Sequence, residues 1–130
     1  MMGLIGLDHV QLAAPPDCEE DARRFFGDLL GFEEIEKPKP LKHRGGVWFR
    51  CGSHQLHIGV EHPFSPALKA HPAFRVSHED LDQFAERLLA SGADPEWDDT
   101  LPGVRRFYIA DPWGNRIEVI AYPVAQETRL

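Results

Sequence analysis

From residue 7 to residue 13 the chain alternates. Leu7, His9, Gln11 and Ala13 fall on one side of an extended backbone, and Asp8, Val10 and Leu12 on the other, which is the period of a β-strand. Pro15 and Pro16 end that pattern. The period then lengthens. Ala22, Phe25, Phe26, Leu29 and Leu30 recur at helical spacing and make one apolar face. Asp17 is the predicted N-cap, Glu20 the acid of a capping box, and Gly31 the left-handed residue that stops the helix. Short strands are predicted over residues 32–35, 47–50 and 55–60. Residues 37–46, with Pro38, Pro40, Gly45 and Gly46, read as a loop.

The same order then returns. Residues 71–76 form a strand candidate. Ser77 stands where a cap belongs, with Asp80 three residues on. Leu81, Phe84, Ala85, Leu88 and Leu89 repeat the helical spacing, and Gly92 ends it. Strands follow over residues 94–97, 105–110 and 116–122, the last introduced by the turn Asp111-Pro112-Trp113-Gly114-Asn115. These repeats predict an α+β fold of tandem βαβββ modules over residues 5–60 and 71–122. The proline-bearing segment 61–70 serves as linker within one domain spanning residues 1–130. A helix stripe covers only one face of a sheet. The opposite faces are therefore expected to form curled mixed sheets around a cleft. An unrelated open α+β sandwich is the plainer alternative, but it leaves both helix registers and the matching strands to coincidence.

Composition narrows the function classes. With 14 Lys and Arg against 21 Asp and Glu, the net charge of −7 disfavours broad contact with a nucleic-acid backbone. No apolar run approaches the roughly 20 residues needed to cross a membrane. The opening MMGLIGLD lacks a basic start and a long apolar core, so it does not read as a signal peptide. Two cysteines, Cys18 and Cys51, are too few for a disulfide framework, and a cytoplasmic setting is expected. Cys18 falls in a first helical turn, where a thiolate is favoured, but no histidine partner is implied.

The polar residues on apolar strands carry the chemistry. His57 alternates with Leu56, Ile58 and Val60, while Glu118 alternates with Ile117, Val119 and Ala121. A carboxylate in such company must be exposed, paired or metal-bound. His9 and His71 hold corresponding first-strand positions. His9, His57, His71 and Glu118 are therefore the candidate metal ligands, a donor set suited to Fe, Mn, Zn, Ni or Co. Two imidazoles and one carboxylate on one side would leave positions open for substrate and water. Any single strand histidine is otherwise an ordinary hydrogen-bonded residue. Arg50 and Arg75 are candidate anchors for a substrate carboxylate or phosphate through the guanidinium fork, or else structural partners of an acid. Trp48 and Gln11 complete the candidate substrate contacts. Arg105, Arg106 and Tyr108 read as strand surface or cleft rim, and His43, His54, His62 and His78 as solvent-facing.

These residues, taken in order, resemble the vicinal oxygen chelate superfamily, also called the glyoxalase, bleomycin-resistance and extradiol-dioxygenase group. The resemblance rests on Leu7-Asp8-His9-Val10, Leu29-Leu30-Gly31-Phe32, Leu56-His57-Ile58, His71-Pro72-Ala73-Phe74-Arg75-Val76, Asp111-Pro112-Trp113-Gly114-Asn115 and Arg116-Ile117-Glu118-Val119. It implies a glyoxalase-like fold, a divalent metal and a small oxygen-rich substrate chelated through it. The glyoxalase I pattern carries over to His9, His57, His71 and Glu118, except that its second ligand is usually a carboxylate where this chain has His57. An isomerase or lyase is the first expectation, with His57 and Glu118 as catalytic groups and Glu118 moving a proton. An extradiol-type dioxygenase and a metal-free small-molecule binding protein are the alternatives. The resemblance also implies a homodimer.

Overall fold

The computed structural model describes residues 2–127. The chain divides into two compact units, Met1–Ser65 and Pro66–Leu130. The first unit runs through β1 (His9–Ala14), α1 (Glu19–Ala22), a π-helical continuation (Arg23–Leu29), β2 (Glu33–Ile35), a 3-10 turn (Lys39–Arg44), β3 (Val47–Cys51) and β4 (His54–Val60). The second runs through β5 (Ala73–Arg75), α2 (Leu81–Ala90), β6 (Glu96–Asp98), β7 (Arg105–Ala110) and β8 (Arg116–Ala121), followed by a short helix, α3 (Val124–Glu127). Each unit therefore carries the βαβββ order. No helix among the described residues is long and apolar enough to cross a membrane.

The sheets are built alike. In the first the strand order is β1-β4-β3-β2, and in the second β5-β8-β7-β6. β1 pairs parallel with β4 and β5 parallel with β8, while the remaining pairs are antiparallel. The expectation of curled sheets around a cleft is corrected here: both sheets are open and four-stranded. Closing a sheet requires its edge strands to bond to each other at a fixed tilt and stagger. The edges β1 and β2 do not pair, nor do β5 and β6, and β2 and β6 are only three residues long.

One face of each sheet is apolar. Leu12, Val47, Phe49, Leu56 and Ile58 are buried in the first unit with Phe25, Phe26 and Leu30 of the helical segment, and Phe26 lies against Phe49 at 5.9 Å between ring centres. Phe107, Ile109, Ile117 and Val119 are buried in the second with Leu81, Ala85 and Leu88 of α2. Burial of this kind stabilises by about 25 cal/mol per Å² of apolar surface, so packing under the helices holds each sheet's facing.

Several local expectations shift. β1 starts at His9, leaving Leu7 exposed. Asp17 is no N-cap: its backbone is left-handed (φ 64°), Cys18 takes the cap position, and no side chain bonds the helix end. The first helix widens into a π-helix, with Leu30 N–H reaching Phe25 O, so Leu30 is buried and Leu29 only half-buried. Leu89 of α2, counted with the apolar stripe, is exposed. The predicted loop 37–46 contains the 3-10 turn, and the strand beginning at His71 is shortened to Ala73–Arg75 after the buried Pro72.

Gly46 joins that turn to β3. Its φ is +85°, and a Cβ there would overlap the carbonyl oxygen of Ile58 in β4. Gly31 is also left-handed (φ +81°) but faces open space. Gly46→Ala is expected to cost more than about 2 kcal/mol, combining left-handed strain with a backbone collision, and Gly31→Ala about 1 kcal/mol from strain alone. Urea unfolding midpoints of the two variants check this; equal losses would contradict the close approach at Gly46.

Candidate functional site

Register decides which side chains share the non-helical face of the first sheet. Gln11 lies beside His57, and His57 beside Trp48. His9 lies beside Gln55, and Gln55 beside Arg50. His57 is buried at 4% exposure, its ring held in a stack between Trp48 (3.6 Å, 3° between planes) and His9 (4.1 Å, 19°). Its Nε2–H donates to Gln55 Oε1 at 2.9 Å. His9 is half exposed, and its Nδ1 lies 2.8 Å from Asp8 Oδ1. A carboxylate only accepts, so Nδ1 carries a proton, and whenever the ring is neutral the lone pair is on Nε2, the arrangement that orients a metal-binding imidazole. The two stacked rings run nearly parallel rather than converging. Burial is the main force pushing the His57 pKa down, followed by the His9 charge, with Asp8 opposing. His57 is therefore a neutral ring near pH 7.

Arg50 is exposed and lies 3.7 Å from Glu33, so its charge has an acidic partner. Gln11 and Trp48 line a recess of about 230 Å³ together with Lys37, Leu41, Arg44, Gly45, Ile58, Gly59 and Val60.

The second sheet carries a network of charges instead of a ring stack. Glu118 lies opposite Ala73 on one side and Tyr108 on the other. It is buried at 5% exposure. Oε1 is 3.0 Å from His71 Nε2, and Oε2 accepts from Arg106 Nη1 at 3.4 Å. Arg106 also reaches Asp98 at 3.5 Å and Thr100 at 3.3 Å, while its Nε is buried without a hydrogen-bond partner among the described residues. His71 Nδ1 donates to the carbonyl oxygen of Lys69 at 2.8 Å. With that proton committed, Nε2 of a neutral His71 presents a lone pair to a carboxylate oxygen. Two acceptors at that separation need a cation between them, either a proton or a metal. Tyr108 meets His71 edge-on at 5.5 Å and lies beneath the Arg116 guanidinium at 4.0 Å. Arg75 is exposed on the same side of β5.

Each unit thus presents a donor pair, His9 with His57 and His71 with Glu118. Among the described residues no group of three or more His, Cys, Asp or Glu side chains is arranged to hold a metal ion. The sequence pattern puts Arg106 and Tyr108 at the strand surface or cleft rim and gives Arg116 no role of its own. The alternation of β7 was the available signal, because Arg106 and Tyr108 share the parity that faces Glu118. Cys18 carries no thiolate: burial, then Glu19, pushes its pKa to about 11. His43, His54 and His62 are exposed, and His78 is half-buried.

The chain belongs to the Glyoxalase/Bleomycin resistance protein/Dioxygenase superfamily, whose family model matches residues 6–119. A solved protein of the glyoxalase family from Bacillus anthracis shares 51% identity, covering 95% of this chain and all (100%) of that one, with a TM-score of 0.89. The fosfomycin resistance protein FosX from Listeria monocytogenes, solved in variant form with Mn(II) and a dihydroxypropylphosphonic acid, shares the fold at 20% identity. That match covers 98% of this chain and 100% of that chain, with a TM-score of 0.78. A lactoylglutathione lyase from Agrobacterium tumefaciens does so at 22% identity, over 89% of this chain and 92% of that chain, with a TM-score of 0.69. No curated protein matches the chain.

The lowered His57 pKa has a sign. Above the ordinary imidazole value of about 6.5 both folded and unfolded states are neutral there, and the full stability is present. As pH falls below it the unfolded chain takes up a proton first, so stability declines until the folded His57 also titrates. NMR titration is expected to place His57 below the usual imidazole range. His57→Gln is expected to flatten the fall in urea midpoint between about pH 7 and pH 5. A His57 titrating at or above the usual value contradicts the reading.

Proposed function

We propose that the protein is a divalent-metal-dependent enzyme acting on a small oxygen-rich molecule, with an isomerase or lyase reaction as the first assignment. The observation that carries this reading is the part-buried His71–Glu118 pair, in which an imidazole nitrogen and a carboxylate oxygen face each other at 3.0 Å. Both atoms are donors of the kind that would hold a divalent ion if one displaced the proton between them. The imidazole and carboxylate donors match Fe, Mn, Ni, Co or Zn. His9 and His57 are the proposed donors of the first unit; His9 has its Nε2 freed by Asp8, and His57 is neutral without needing a metal to displace its charge.

When bound, the metal would supply Lewis acidity to an oxygen that gains negative charge. The chain's own groups do the rest. Glu118 is the proposed proton carrier, with Arg106 holding Oε2 and His71 facing Oε1. Lys69 fixes the His71 ring through its carbonyl. Arg75 is a proposed anchor for a distal anion, as is Arg50 if Glu33 releases it. Gln11 and Trp48 are the proposed substrate contacts of the first unit. A metal-free binding protein is the second reading, favoured by the recess beside Trp48, which needs no ion to hold a ligand.

Element analysis of anaerobically purified, metal-reconstituted protein is expected to find one divalent ion per chain. His71→Ala, Glu118→Gln and His57→Ala are each expected to weaken retention by about a hundredfold or more, since loss of outer-shell partners alone costs 10–100-fold. Unfolding curves confirm that each variant is folded. A parent without metal after reconstitution overturns the reading, and a variant that keeps its metal removes that residue from the ligand set.

A further inference from the structure

The recess of the first unit has a charge that its surroundings do not balance. The chain carries a net −7, yet Lys37, Lys39, Lys42, His43 and Arg44 crowd into eight consecutive residues around the 3-10 turn. Lys42 is paired with Glu36. Lys37 Nζ donates only to the carbonyl oxygen of Gly45, and among the described residues neither Lys37 nor Arg44 forms an ion pair with a carboxylate. Glu19, the acid beside this turn, is engaged by the N–H of Gly46 at 2.7 Å. Lys37 and Arg44 line the recess; Lys39, Lys42 and His43 do not.

The other walls favour a small, specific occupant. Gln11 contributes an amide, and Gly59 is what leaves room for it, since a Cβ at position 59 would stand 2.9 Å from the Gln11 Nε2. Leu41, Ile58 and Val60 supply apolar walls. Trp48 lines the recess and also stacks on His57, so a molecule anchored there extends along the sheet face that carries His57.

We propose that Lys37, Arg44 and Gln11 form a binding site for a dianionic phosphoryl or phosphonyl group of a small molecule. Two cations and an amide match the charge and the multiple acceptor oxygens of such a group, and charge-assisted bonds to it are the strong ones. A carboxylate offers one charge and two oxygens and satisfies the site less well. As the anchor of the substrate's distal end, the site deepens the function proposed above and rests on that reading only for what happens at the other end.

Calorimetric titration of chelator-treated protein with methylphosphonate at about pH 8.5, where this probe is a dianion, tests the site without any metal. Saturable binding is expected, with acetate at least tenfold weaker. Lys37→Gln and Arg44→Gln are each expected to weaken methylphosphonate binding tenfold or more, while Lys39→Gln, outside the recess, leaves it within twofold. Absence of saturable binding overturns the proposal. So do unchanged binding in both recess variants, an equal loss in Lys39→Gln, which would mean a diffuse basic field, and acetate binding as tightly as methylphosphonate. Repeating the titration with Mn(II) separates the two readings: failure of metal binding with retained anion binding counts against the metal reading alone.

Discussion

In each unit the first strand lies parallel to the last, and the candidate donors are neighbours only across that pair. β1 against β4 sets Gln11 beside His57 and brings the His9 ring onto it; β5 against β8 sets Ala73 beside Glu118 and lets His71 reach its carboxylate. A slip of one residue would turn every one of these groups toward the helix. What prevents the slip is apolar. Leu56, Ile58 and Phe49 in one unit, and Ile117, Val119 and Phe107 in the other, are buried on the opposite face. The polar residues are thus aimed by neighbours that take no part in their chemistry.

The same scaffold holds two different polar solutions. In the first unit a neutral imidazole is buried between rings, and desolvation keeps it uncharged. In the second a buried carboxylate is held by an imidazole and a guanidinium. An unpaired buried carboxylate would cost several kcal/mol, so Arg106 and His71 make the burial of Glu118 tolerable as well as orienting it. That Arg106 also spans to Asp98 and Thr100 ties β6 and β7 to the same carboxylate.

Irregular backbone supplies the remaining features. The left-handed Asp17 and the π-helical turn reset which residues of the first helical segment face inward. The 3-10 turn Lys39–Arg44 and the glycines after it gather Lys37 and Arg44 at a recess beside Trp48. A 3-10 turn needs only three or four residues of local bonding, and no long periodic signal announces it.

The βαβββ repeat and the strand faces that carry His9, His57 and Glu118 were legible along the chain, because side-chain direction in a strand has a fixed period and an apolar stripe must be buried. The open form of the sheets was not, since whether two edges meet depends on strand length and stagger across the sheet, not on any one strand's alternation. Nor were the roles of Arg106, Tyr108 and Arg116: a strand arginine looks the same in sequence whether it faces water or a buried carboxylate. The cap at Asp17 failed because backbone conformation overrode residue preference. Periodicity is a property of consecutive residues and can be read directly; pairing, closure and charge balance belong to residues brought together from afar, and only the folded chain decides them.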